Sequence, residues 1–398
     1  MPAPVLKLAA QKNKSAPRKP GGKPGNVQAK ENETKLVLHA LEKNIAISPT
    51  LFDPSALSSS VHCDIPITAG LIGNVLGMTL TFTCTNNTNS NIVFLSFGAV
   101  DMIASIKELL EATRTPLVKH IKETLLFCMR YLSPDEIATY KRGFMPPSSG
   151  LLLPNASYTF YLPLLNDPLV INNVFLMSFR EVITYRIMFQ SNAWPGAVPS
   201  MSNFKLIARY SMPVNAQLAD MRRMYASNLL EFPFYKYLEQ HIASQVIAPG
   251  ETITVPLTSF TGPLSNMMVY VRGAGSIVIS NLSQLIDQYS ILDSSDNSIM
   301  GLKNVDVAYH DSILSASHKN RSVVNASLPD PWIGINLSSD VKNDYLNGTV
   351  SGYHLFTGNE KLVLRFKSTL VAGAYVISVV QGKRYVLQVK GGEVNISI

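Results

Sequence analysis

The side chains able to do chemistry are few, and their spacing does not suit it. Seven histidines (His39, His62, His120, His241, His310, His318 and His354) are scattered along the 398 residues. No two stand at a metal-ligand spacing such as H-x-H or H-E-x-x-H. His62 and Cys63 are neighbours, but adjacent residues of a strand point to opposite faces, so they make no nucleophile–base pair. Tyr309-His310-Asp311-Ser312 has the residue types of a triad without a local geometry to assemble them. No G-x-S-x-G, P-loop or G-x-G-x-x-G occurs, and Arg272-Gly273-Ala274-Gly275 reads as a turn. Cys63, Cys84 and Cys128 are odd in number and lack ligand spacing. They read as reduced, buried thiols of a cytosolic setting, not as a disulfide scaffold or zinc site. The residues predict no catalytic centre, no cofactor and no metal.

The remaining polar pairs have structural explanations. Asp135-Glu136 follows Ser133-Pro134 and marks a helix N-terminus, where acids complement the dipole. Lys141-Arg142, Arg222-Arg223 and Lys383-Arg384 fall in candidate helices or turns and read as solvated faces or contacts between subunits. Trp194-Pro195-Gly196 follows a strand ending at Gln190. It reads as a plug at the end of a sandwich, with stacking on a sugar or base as the alternative.

Charge is distributed unevenly. There are 34 Lys and Arg against 27 Asp and Glu, a net charge of +7. The whole excess lies in residues 1–30, where Lys7, Lys12, Lys14, Arg18, Lys19, Lys23 and Lys30 occur with no acid. Beyond them, 27 basic residues balance 27 acidic ones. With 46% hydrophobic and 15% charged residues, the body is too apolar for disorder and poor in charge for a soluble domain. It is expected to bury much of its exterior against copies of itself. The longest apolar stretches, Gly70–Phe82, Leu169–Phe179 and Ala372–Val380, are interrupted by Gly, Asn or Ser and fall short of a spanning helix. No apolar run follows the N-terminal cations as a secretory signal requires, so the chain is expected to be soluble or peripheral to a bilayer. Asn-X-Ser/Thr triplets at Asn86, Asn155, Asn281, Asn325, Asn336 and Asn347 read as composition.

The elements that must position these residues are mostly strands. Residues 1–35 form a low-complexity arm of Pro, Gly and Lys that cannot bury enough surface to order itself. Strand texture follows at Val75–Thr85, Ile92–Phe97, Tyr158–Leu162, Val182–Gln190 and Phe204–Met212, the first two reading as a long-looped hairpin. It resumes at Tyr235–Ile247, Thr252–Leu257, Met267–Arg272, Ser276–Ser280, Lys361–Lys367, Tyr375–Val380 and Tyr385–Val389. The last two flank Gln381-Gly382-Lys383-Arg384, which reads as a tight turn. Helical periodicity is predicted at Val100–Ala112, Leu117–Leu132 and Ala216–Ser227. The fold class predicted is mainly β: two consecutive antiparallel sandwiches with a few inserted helices and an extended basic arm. One sandwich rarely exceeds about 250 residues, so the seam is placed near Pro213–Ala216. The expected domains are the arm, 1–35, and the sandwiches 36–213 and 214–398.

This organisation resembles the double jelly-roll major capsid proteins of tailless icosahedral double-stranded DNA viruses with an internal membrane, the tectivirus-like and adenovirus-like lineage. The resemblance rests on Thr50-Leu51-Phe52-Asp53-Pro54 before the first strands and on Val75–Thr85 running into Asn86-Asn87. It continues with Phe97-Gly98-Ala99 before Val100–Ile106, the Pro154–Leu164 strand ending in a Pro-apolar element, the paired strand Ile183–Phe189, and Asn192-Ala193. It is strongest over Pro49–Met212 and one of pattern alone beyond. The helical segment Val100–Leu132 is a departure from it, expected as an inserted helix pair.

The resemblance implies two jelly rolls per chain and a homotrimeric, pseudo-hexagonal capsomer that tiles an icosahedral shell with penton, vertex and minor capsid proteins. It implies a virion location after assembly in the host cytoplasm, and an N-terminal arm on the inner face near the membrane. Thirty extended residues reach roughly 100 Å, and each cation near an anionic bilayer contributes about 1 kcal/mol. Alternatives are a coat protein whose arm binds packaged nucleic acid directly and a carbohydrate-binding β-sandwich. For the latter only Trp194 and Trp332 are available.

Overall fold

The computed structural model describes residues 41–47, 62–67, 69–94, 98–110, 116–121, 125, 134–146, 150–165, 167–190, 199–274, 282–299, 305–306, 332–337 and 352–397. The arm with its seven cations lies outside the described residues, as do Cys128, Trp194, Ser276–Ser280 and Tyr309–Ser312.

Strands β1 (Leu41–Ile47), β2 (His62–Ile67), β3 (Asn74–Thr85), β4 (Ile92–Val93) and β5 (Ile103–Leu110) come first. After β6 (Pro116–Ile121) comes helix α1 (Pro134–Phe144), then β7 (Leu151–Leu152), β8 (Ser157–Pro163) and the short helix α2 (Pro168–Ile171). Strands β9 (Ile183–Phe189) and β10 (Ser200–Met212) lead into helix α3 (Asn215–Ser227). The second half carries β11 (Leu230–Ile247), β12 (Thr252–Pro256), β13 (Thr261–Gly273), helix α4 (Leu282–Leu285), β14 (Ile286–Leu292) and β15 (Val305–Asp306). It closes with β16 (Trp332–Asn336), β17 (His354–Thr357), β18 (Lys361–Phe366), β19 (Gly373–Lys390) and β20 (Glu393–Ser397).

Alternation makes these strands. In β9 (ITYRIMF), Ile183, Tyr185, Ile187 and Phe189 are buried while Thr184, Arg186 and Met188 are not, the period-2 pattern of a sheet with one covered face. The buried set of the first half includes Phe82, Phe160, Phe189 and Phe204. The Phe82 ring lies 5.5 Å from Phe160 and 5.6 Å from Phe204, and Phe189 stands edge-on to Phe204 at 5.3 Å. Such pairs add about 0.5–1.5 kcal/mol each beyond area burial.

Two sheets form from strands of the first half, in orders β1-β10-β3-β8 and β2-β9-β5-β6. Two more form from the second half, β11-β19-β13-β16 and β12-β18-β14-β15, with β17 also on β13 and β20 on β19. Setting aside the short ribbon β4–β7, the strands of each half follow one rule. The first, eighth, third and sixth make one sheet; the second, seventh, fourth and fifth make the other, with β16 and β17 sharing the sixth place. This is the wrapped order of a jelly roll, and it occurs twice. The chain is a double jelly roll.

Four expectations of local structure are corrected. Val100–Ala112 is a 3-10 turn, Gly98–Met102, followed by strand β5, not a helix. A register shift between Ile103 and Ser105 puts 103, 105, 106, 108 and 110 on the buried face, and a bulged strand of that pattern mimics helical spacing. Of Leu117–Leu132, Leu117–Ile121 belong to strand β6, Leu125 is helical, and the remainder lies outside the described residues. Thus β5 and β6 complete the second sheet, in place of the helix expected over the described residues 103–110 and 117–121.

The hairpin expected of Val75–Thr85 and Ile92–Phe97 does not form: β3 pairs with β10 and β8, and β4 pairs with β7. Gln381–Arg384 is not a turn but the middle of the 18-residue strand β19, paired along its length with β11. Gly382 is there for clearance: a Cβ would meet Asn266 Oδ1 at 2.1 Å. The helices over Pro134–Phe144 and Asn215–Ser227 are where the sequence places them.

Candidate functional site

With no constellation of reactive groups to describe, the site of interest is the joint that fixes the two rolls and the polar centre beneath it. Helix α3 connects β10 to β11 and supplies Tyr225, which is buried against Phe175 (5.6 Å) and stacked on Phe232 (6.2 Å). The Tyr225 hydroxyl accepts from the backbone N–H of Phe175 at 3.0 Å, and its carbonyl accepts from Gly391 N–H at 3.1 Å. Burial pushes the phenol up to about 12, so it stays protonated. Among the described residues, further hydrogen bonds join the rolls. Asn172 Nδ2 donates to Pro233 O at 2.9 Å, Arg180 N–H to Gly392 O at 2.9 Å, and Lys236 Nζ to Pro116 O at 3.0 Å.

Beneath the joint, Glu108 of β5, Asp167 and Tyr185 of β9 are all fully buried. The Tyr185 hydroxyl donates to Asp167 Oδ2 at 2.5 Å. Asp167 Oδ1 caps α2, accepting from Leu169 N–H at 2.8 Å and Val170 N–H at 3.3 Å. Glu108 is hydrogen-bonded to Asp167, which lowers its carboxyl, but burial outweighs this and pushes it up to about 8. Paired carboxyls of this kind serve acid–base catalysis where substrate reaches them. Here no solvent does, and the pair orients α2, whose C-terminal Asn172 holds the second roll.

The sequence-level candidates are not brought together. His62 is exposed beside Asp64 at 3.5 Å, while Cys63 points into the core, where burial and then the Asp64 charge push its thiol up to about 12. Cys84 is likewise buried, with its thiol raised by burial. Asp135 and Glu136 occupy the first turn of α1, and Lys141 and Arg142 its last. Among the described residues, no group of three or more His, Cys, Asp or Glu is placed to hold a metal, and no helix is long and apolar enough to cross a membrane.

Sequence reasoning missed Glu108, Asp167, Tyr185, Asn172 and Tyr225. Only Asp167-Pro168 carried a local signal, a cap followed by proline at the first helical position.

The fold defines the class: a double jelly roll, the architecture that the sequence resemblance implied. No protein-family model and no curated relative matches the sequence. Solved structures do share the fold. PBCV-1 VP54, fitted into a reconstruction of the virophage Sputnik, aligns with a TM-score of 0.66 at 11% identity, over 90% of this chain and 97% of that one. The PBCV-1 virus capsid model aligns with a TM-score of 0.67 at 12% identity, over 90% and 97%. The Faustovirus major capsid protein gives 0.57 at 8% identity, over 88% and 91%.

Proposed function

We propose that this chain is the major capsid protein of an icosahedral virus, with a structural and not an enzymatic role in the virion. The observation that carries the reading is the duplicated jelly-roll order, matched over nine-tenths of the chain by capsid structures. We further propose that three copies form a pseudo-hexagonal capsomer, meeting penton and minor capsid proteins in the shell after assembly in the host cytoplasm. Large apolar side chains left bare on one chain support self-association. Val246 and Val371 are 76% and 78% exposed, at the same end of the β11–β19 pair. Within this reading the chain divides into the arm, 1–35, and rolls 36–213 and 214–398. Lys7, Lys12, Lys14, Arg18, Lys19, Lys23 and Lys30 of the arm face the inner membrane.

Light scattering of the full chain tests the assembly: a trimer is expected, and a stable monomer at micromolar concentration overturns it. Deleting residues 1–30 is expected to leave the trimer intact and to weaken binding to anionic vesicles. Unchanged vesicle binding with loss of DNA binding assigns the arm to nucleic acid instead.

A further inference from the structure

One row of residues crosses the outer face of the sheet β2-β9-β5-β6. Asp64 stands opposite Arg186, Arg186 opposite Lys107, and Lys107 opposite Lys119. Like charges directly opposite on antiparallel strands are destabilising, yet three cations succeed one another here. The single acid is already engaged: Asp64 holds Arg186 in a bidentate pair, Nε to Oδ1 at 2.9 Å and Nη2 to Oδ2 at 2.7 Å. Among the described residues, no carboxylate lies within ion-pair distance of Lys107 or Lys119.

The row borders a groove of about 470 Å³, walled by Lys107, Arg186 and Asp64 and floored by Leu109, Thr184 and Pro116. Pro116, which lines the groove, accepts at its carbonyl from the half-buried Lys236 of the second roll at 3.0 Å. Lys236 in turn stands opposite Lys383, and both ammonium groups approach the Tyr385 ring, at 4.7 and 6.0 Å. Among the described residues, a body that is neutral beyond residue 30 therefore sets these five cations beside the one acid of the row, Asp64.

We infer that this groove is a binding site for an oxyanion of the phosphate class, held by Lys107 in its lining and by Lys119, which stands opposite Lys107 on β6 at its border, with Lys236 beside Pro116. Ammonium groups act as point charges toward phosphate. Among the described residues that line the groove there is no aromatic face on which a base would stack, so the recognised element is the phosphate itself. A free oligophosphate and a lipid headgroup both present it.

The test uses the full chain with sodium pyrophosphate in calorimetry, and with phosphatidylglycerol against phosphatidylcholine vesicles in co-sedimentation. Two paired variants are compared: Lys107→Gln/Lys119→Gln at the groove and its border, and Lys141→Gln/Lys205→Gln on α1 and β10, which lowers net charge equally. The groove pair is expected to weaken pyrophosphate binding at least tenfold and the control pair less than twofold. Lys119→Gln alone, at an exposed position, is expected to weaken it several-fold without lowering the melting temperature. Phosphatidylglycerol binding that falls with the groove pair assigns the site to a headgroup; vesicle binding that does not change assigns it to free oligophosphate. Absence of pyrophosphate binding by the wild-type chain, or equal weakening by both pairs, overturns the inference.

Discussion

The backbone N–H of Arg180 in the first roll donates to the carbonyl oxygen of Gly392 in the second, 2.9 Å away. Gly392 sits at a φ of +85°, and a Cβ added to it would lie 2.6 Å from Ser178 O and 2.8 Å from Arg180 Cγ. The β19–β20 turn is therefore glycine for two reasons, conformation and clearance. The neighbouring Gly391 has only the first, with φ at +62° and open space around its Cβ position.

That difference separates two alanine variants. Gly391→Ala is expected to cost about 1 kcal/mol, the ordinary penalty of a left-handed alanine. Gly392→Ala is expected to cost about 3 kcal/mol, because backbone must also move at the joint. Urea unfolding of both variants checks the order, and equal costs would sink the account of the joint.

Asn86 is a buried plug, not an acceptor for sugar. Its Nδ2 donates to the carbonyls of Ser90, Leu152 and Leu153 at 2.7, 2.9 and 3.1 Å, and its Oδ1 accepts from Thr88 N–H and Oγ1–H at 2.9 and 2.7 Å. Asn86→Ala is expected to cost about 2–4 kcal/mol. Asn86→Asp is expected to be no better, since a carboxylate oxygen would then face three carbonyls. Thermal melts of the two variants check this, and mass spectrometry is expected to find Asn86 unmodified.

Glu108 makes stability fall with rising pH. Its folded pKa, near 8, lies above the ordinary 4.5, so between those values the folded chain keeps a proton that the unfolded chain loses. The stability lost across that window is expected to disappear in Glu108→Gln, which does not titrate. Melting temperatures between pH 5 and 8 check it: the variant should gain on the wild type as pH rises, and a constant difference overturns the assignment.

Glu360 works at the other end of the scale. Burial raises its carboxyl, but donors outweigh this and hold it below the ordinary value: Thr357 N–H at 2.9 Å, Thr357 Oγ1–H at 3.0 Å and Gly358 N–H at 2.9 Å. Its contribution is present above the unfolded pKa of about 4.5 and is lost as pH falls through the lower folded value. Glu360→Gln is expected to melt lower at pH 6 and to converge on the wild type near pH 3.

Where period 2 was uninterrupted, as in Ile183–Phe189 and Lys361–Phe366, the strands were legible from the residues alone. Where a bulge broke it, as at Ile103–Ser105, the apolar spacing imitated a helix. Gly382 looked like a turn because clearance from Asn266, a residue more than a hundred positions away, leaves no local trace.

The sequence by itself determined that the chain is strand-rich, that its charge excess is confined to residues 1–30, and that its His and Cys residues lack the spacing of a metal site. These are matters of composition and local period, which neighbouring residues carry. Only the tertiary structure decided that the strands wrap twice in the same order, that Tyr225, Asn172 and Gly392 lock the rolls, and that Glu108 meets Asp167 in the core. Each of these joins residues distant in the chain. Pairing and burial between such residues are set by which faces can exclude water together, and no local pattern encodes that.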